Sequence, residues 1–164
     1  MKNIFLKFVL IFSLCICAAS GVWLLVESSN AHNDLTENVI YINEETTTQK
    51  TFEYCDLSLN PGGVSIYHID LVCGAEGDYS IRLDFEDKGG KLKEYIFVVV
   101  VFDGQFVTEV ALTEAMQNGI EMDGFLSKDQ AKKLTIKYIV PSYVGNEAQG
   151  KAAQFDLTVT IDSK

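Results

Sequence analysis

The sequence predicts an all-β fold: an antiparallel β-sandwich, jelly-roll or immunoglobulin-like, preceded by an N-terminal hydrophobic signal or anchor helix. Three observations lead there. Apolar residues alternate with polar ones at period two in segment after segment. Turns rich in Gly and Pro divide those segments at short spacing. No long amphipathic helix lies between them, which argues against parallel βαβ topology.

Lys2 and Lys7 precede an apolar run over residues 8–26 that holds no charge, and the first charge after it is Glu27. As a helix rising about 1.5 Å per residue, this run nearly spans a hydrocarbon core of about 30 Å. Ser29-Asn30-Ala31 places small residues where a signal peptidase reads them, so Ala31 is the candidate cleavage site. Cleavage there removes Trp23, the sole tryptophan. Retention leaves a membrane anchor. Under either outcome the positive-inside rule keeps the two lysines in the cytoplasm and puts the body of the chain outside. The expected destination is therefore secreted or cell-surface. The expected division is residues 1–31 as signal peptide or membrane anchor, 32–45 as a polar leader holding a short β-favouring run, and 46–164 as the β-sandwich domain.

Val39-Ile40-Tyr41-Ile42 is a short β-favouring run, and residues 46–54 are rich in β-branched and aromatic side chains. Asn60-Pro61-Gly62-Gly63 supplies turn chemistry, because Pro fixes one φ angle and Gly accepts a positive one. A strand begins at Val64. Tyr67, Ile69, Leu71 and Cys73 then alternate against His68, Asp70 and Val72, while Val64 and Ile66 fall on the other parity, so a bulge is expected near Ile66. Tyr79, Ile81, Leu83 and Phe85 repeat the alternation. Lys88-Gly89-Gly90-Lys91 reads as a hairpin into residues 94–102, whose Tyr95-Ile96-Phe97-Val98-Val99-Val100-Val101-Phe102 run, with no polar group but the Tyr hydroxyl, is expected to be central and covered on both faces. Asp103-Gly104 turns the chain into residues 106–112, and residues 113–118 form one helical turn stopped by Gly119. Leu134, Ile136, Tyr138 and Val140 form a further strand ended by Pro141. Phe155, Leu157, Val159 and Ile161 form the last. About eight or nine strands result.

Of the 164 residues, 13 are Lys or Arg and 23 are Asp or Glu, a net charge of −10 that would repel phosphate backbones; nucleic acid is not an expected partner. Cys15 and Cys17 lie in the apolar run. Cys55 and Cys73 are thus the exported cysteines, candidates for a disulfide worth about 3 kcal/mol in the loop-entropy model or, equally, for two buried thiols. No catalytic residue, cofactor or metal site is read. His32 and His68 are the only histidines, and no His-Glu-x-x-His helix is present for zinc. His68 and Asp70 can share one strand face, but two donors do not make a site. Asp84-Phe85-Glu86-Asp87 lacks EF-hand spacing and reads as solvated acidic surface. Arg82, the sole arginine, reads as a partner for a neighbouring carboxylate. No nucleophile elbow is present.

Leu59-Asn60-Pro61-Gly62 before a long strand, and Asn146-Glu147-Ala148-Gln149-Gly150 before a closing alternating strand that starts at Phe155, are the most distinctive stretches. With the apolar head and the early strand, they make the chain resemble the TasA/camelysin family of exported bacterial surface and biofilm-matrix proteins over most of residues 46–161. The resemblance implies a jelly-roll-like domain that assembles into extracellular fibres by donating an N-terminal strand, here residues 39–42, to the next subunit. The metalloprotease activity described for camelysin is not carried over, because the zinc motif is missing.

The leading expectation is a non-enzymatic, exported structural protein of the cell surface or matrix that self-associates. The alternative is a membrane-anchored module that binds a sugar, peptide, cation or other cell-envelope component in loops 74–78 or 142–150. A hydrolase is the least favoured, since no catalytic constellation can be named.

Overall fold

A computed structural model describes residues 38–42 and 47–164, which belong to the second of two units in the chain, Asn33–Lys164. The apolar run, Ala31 and His32 lie outside the described residues. Among the described residues, no helix is long and apolar enough to cross a membrane.

The described residues form nine strands: β1 (Asn38–Ile42), β2 (Thr48–Leu57), β3 (Val64–Cys73), β4 (Gly77–Gly89), β5 (Phe97–Phe102), β6 (Gln105–Ala111), β7 (Ile120–Leu126), β8 (Ala131–Ile139) and β9 (Ala153–Ser163). They form a five-stranded sheet ordered β1-β3-β8-β5-β6 and a four-stranded sheet ordered β2-β9-β4-β7. Beyond β1 the pairing is nested: β2 with β9, β3 with β8, β4 with β7 and β5 with β6, all antiparallel. This is one long hairpin rolled up on itself, and pairs β4–β9 and β5–β8 complete the two sheets. Strand β1 stands apart from the expected antiparallel pattern, because it runs parallel to β3.

The alternation seen in the sequence becomes the core. Ile69, Leu71, Leu134 and Ile136 from one sheet meet Ile81, Leu83, Leu157 and Val159 from the other, all buried. Burial of one such side chain stabilises by roughly 1.5–3 kcal/mol. At one end, Leu92, Ile96 and Leu112 close the core. Helix α1 (Leu112–Asn118) begins where the Leu112 N–H bonds to the Ile96 carbonyl. It stops at Gly119, whose φ of +68° suits glycine and whose missing Cβ makes room for the Arg82 guanidinium.

Several local expectations are corrected. No bulge occurs at Ile66: β3 keeps unbroken register with β8, Ile66 points outward at 41% exposure, and the inward place is taken by Ser65, which hydrogen-bonds Tyr67. Register shifts fall instead between Phe52 and Cys55, Asp87 and Gly89, and Val100 and Val101. Residues 88–91 are no hairpin, because β4 and β5 belong to different sheets. The crossing is made by a 3-10 turn at Leu92–Tyr95, drawn in by the fully buried Leu92. Strand β5 is central, as expected, but only Val98 and Val100 are buried; Phe97, Val99 and Val101 on its outer face are half-buried. The sequence does not declare β7, because Gly124 breaks the inward row of Ile120, Met122 and Leu126 and an aromatic, Phe125, stands on the outward side.

Candidate functional site

The residues that the sequence marks for chemistry are dispersed. His68 and Asp70 do share the outer face of β3, but the His68 ring nitrogen Nδ1 bonds Thr135 Oγ1 at 3.0 Å and Asp70 stands in register with Lys133. The acidic stretch is taken up by cations: Asp84 pairs with Arg82 at 2.9 Å, Glu86 with Lys88 at 2.7 Å, and Asp87 with Lys93. The Lys93 ammonium, helped by the Gly89 N–H, holds the Asp87 carboxyl below its usual range. Arg82 also binds Glu121 and donates to the Asn118 carbonyl at 3.1 Å, tying β4 and β7 to the end of α1. Among the described residues, no three His, Cys, Asp or Glu side chains are grouped to hold a metal ion.

The two candidate ligand loops lie at opposite ends of the roll. Loop 74–78 adjoins the β7–β8 connection, where the Asp129 N–H bonds the Cys73 carbonyl. Loop 142–150 sits beside the β2–β3 turn, where the Gly62 N–H bonds the Val140 carbonyl, and exposes Tyr143 at 79%. They cannot form one site.

Cys55 and Cys73 are free and buried, so the bridge weighed from the sequence is not formed. Cys55 Sγ donates to the Phe52 carbonyl, and Cys73 Sγ lies 2.6 Å from Tyr79 Oη, which itself donates to the Ala75 carbonyl. Cys55 is close enough to Tyr67 to influence its ionisation, whereas Cys73 is six residues farther along β3, about 20 Å at 3.3 Å per residue. A disulfide tolerates Cα atoms no more than about 7 Å apart. Burial first, then the Asp156 charge, pushes the Cys55 thiol up to about 11. Burial, then Cys55, pushes Tyr67 up to about 12, and burial raises Tyr138 well above its ordinary value.

The arrangement with functional content is the edge at which β1 lies. Its register with β3 runs from Asn38 opposite Ile69 to Ile42 opposite Cys73. Period-two geometry sends Ile40 and Ile42 into the core, at 3% and 4% exposure, and leaves Tyr41 outside at 71%. Lys50 on β2 donates to the Val39 carbonyl at 3.2 Å, and the Gly74 N–H closes on the Ile42 carbonyl at 3.4 Å. Five residues thus cover the flank of β3 and place two isoleucines against the core, a contribution of roughly 3–6 kcal/mol. The sequence marked this strand by its β-branched pattern, but not its parallel direction or its neighbour.

No protein-family model matches the chain, and no curated protein matches it. Among solved structures, the chain is similar to a β-glucosidase of Paenibacillus barengoltzii at 11% identity and a TM-score of 0.36, covering 76% of this chain and 11% of that one. It is also similar to PliG of Aeromonas hydrophila, a periplasmic inhibitor of g-type lysozyme, at 12% identity and a TM-score of 0.35, covering 76% and 96%. A family 35 carbohydrate binding module from an environmental isolate matches at 13% identity and a TM-score of 0.38, covering 79% and 90%. The chain spans about a tenth of the β-glucosidase. At such identities and scores, nothing about binding or catalysis transfers to this chain.

Proposed function

We propose that the chain is an exported, non-enzymatic β-sandwich of the cell surface or extracellular matrix, and that copies join by strand addition through β1, as the resemblance to the TasA/camelysin family implies. The observation that carries this reading is that β1 is an appendage. The eight strands β2–β9 complete their nested pairing without it, and β1 adds only to the flank of β3.

The physical logic follows from that position. When β1 leaves, the backbone groups on the β1 side of β3, from Ile69 to Cys73, lose their partner while β8 keeps the other side, and the core opens beneath Ile40 and Ile42. An unpaired edge of this kind pairs with an incoming strand, and the identical strand of another copy fits it residue for residue. Intramolecular and exchanged states make the same contacts, so protein concentration sets the balance between them.

Deletion of residues 32–43 tests the reading. Electron microscopy and sedimentation are expected to show polymers for the intact chain and none for the deletion. Normal polymers from the deleted chain overturn strand addition. A persistent monomer that retains a cell-wall polysaccharide supports the binding-module alternative instead.

A further inference from the structure

We propose that the outer face of the five-stranded sheet, along β5, is an interface for a second copy of this chain, related by a two-fold axis. The proposal goes beyond strand addition and does not depend on it, because β1 takes no part.

The starting point is β5. Its six residues, Phe97 to Phe102, carry no polar side chain, and such a run reads as a strand buried on both faces. The inner face meets that description, with Val98 and Val100 at 0% exposure, while Phe97, Val99 and Val101 are left half-open. On the neighbouring edge strand, Phe106 stands opposite Val101 at 65% exposure. The other broad face of the sandwich is mostly acidic: outward positions on β4, β7 and β9 carry Asp84, Glu86, Glu121, Asp123 and Asp162, with Phe125 exposed among them at 53%. A contiguous apolar stripe such as that along β5 marks a place where something packs.

The flanking charges identify the occupant. In register across the sheet, Lys137 of β8 and Glu109 of β6 stand on either side of Val99, each about 4.8 Å from it. Neither is ion-paired with another described residue. A two-fold axis along β5, midway between two stacked sheets, carries β8 over the position of β6. Val99 then meets its own counterpart, as do Phe97 and Val101, and each Lys137 faces the partner's Glu109. The face is therefore complementary to itself in both shape class and charge, the defining property of an isologous contact. Sheets stacked in this way lie about 10 Å apart, within reach of a lysine and a glutamate.

Sedimentation velocity of the purified chain over a range of concentrations tests the proposal, with Lys137→Glu, Glu109→Lys, the double exchange and Val99→Glu as variants and circular dichroism as the check on folding. A reversible dimer is expected for the parent. Each single charge reversal makes two repelling pairs and is expected to weaken the dimer at least about tenfold, and the double exchange to restore it. Val99→Glu, at an outward position, is expected to give a folded monomer. A parent that stays monomeric, or a dimer indifferent to both charge reversals, overturns the proposal. A dimer lost on Ile40→Asp but kept in the charge variants also overturns it, and supports strand exchange alone; the opposite pattern supports the face-to-face contact and leaves strand exchange without support from the dimer.

Discussion

The ring of Phe102 on β5 fills the space beside the backbone of Gly124 on β7, so that a Cβ on residue 124 would fall 2.6 Å from the ring atom Cε1. One sheet thereby packs directly on the backbone of the other, which only glycine permits. Gly124→Ala is expected to destabilise by about 1–3 kcal/mol, the usual range for overpacking. Urea unfolding measures it, and Phe102→Leu in the same chain is expected to recover part of the loss. Full stability in the single variant would show that the contact is soft.

Tyr138 is wholly buried between Tyr67 and Phe155, with ring centroids 5.3 Å from each, and its hydroxyl has no hydrogen-bond partner among the described residues. An unpaired buried hydroxyl costs about 1–3 kcal/mol. Tyr138→Phe is therefore expected to leave stability unchanged or raise it. Tyr67→Phe, which removes the bond with Ser65, is expected to lower it by about 1 kcal/mol. Chemical denaturation of the two variants checks the contrast, and a loss from Tyr138→Phe would reveal an unrecognised partner.

Alkaline pH provides a third test. Cys55 is raised from 9.0 to about 11 in the folded chain, and Tyr67 from 10.0 to about 12. Between these values the unfolded chain releases protons that the folded chain keeps, so unfolding becomes easier as pH rises. Stability from this source is complete below about pH 9 and is lost progressively from there to about pH 12. Thermal melts from pH 8 to 11 are expected to fall, and to fall less in Cys55→Ala. An identical slope in that variant would assign the effect to other groups.

Thiol titration addresses the two cysteines. Both are buried, and a shielded thiol reacts slowly. Cys55 and Cys73 are expected to resist a thiol reagent at neutral pH in the folded chain and to react together in denaturant. Absence of reactive thiols after unfolding without reductant would mean that they are bridged.

Much of the fold was legible because burial follows side-chain parity. Ile69 and Leu71, Ile81 and Leu83, and Leu134 and Ile136 declare their strands and their inward faces. Which strands lie side by side was not legible, since pairing in a nested roll joins residues far apart in sequence, such as Thr48 with Ile161. The Gly-Gly turn at residues 89–90 looked like a hairpin because local turn chemistry is the same whether the chain returns to its own sheet or crosses to the other. Leu92 decides the matter, and only tertiary packing shows it. The edge occupied by β1 was visible as a β-favouring run. Its parallel register was hidden, because that depends on the flank of β3.

Strand β9 lies between β2 and β4 and shares a ladder with each. Until it is in place, β2 has no partner within its sheet and β4 has only β7, and loop-closure entropy opposes early pairing of segments so far apart in sequence. The four-stranded sheet therefore closes only when β9 docks, and β2 is held in its sheet by that event alone.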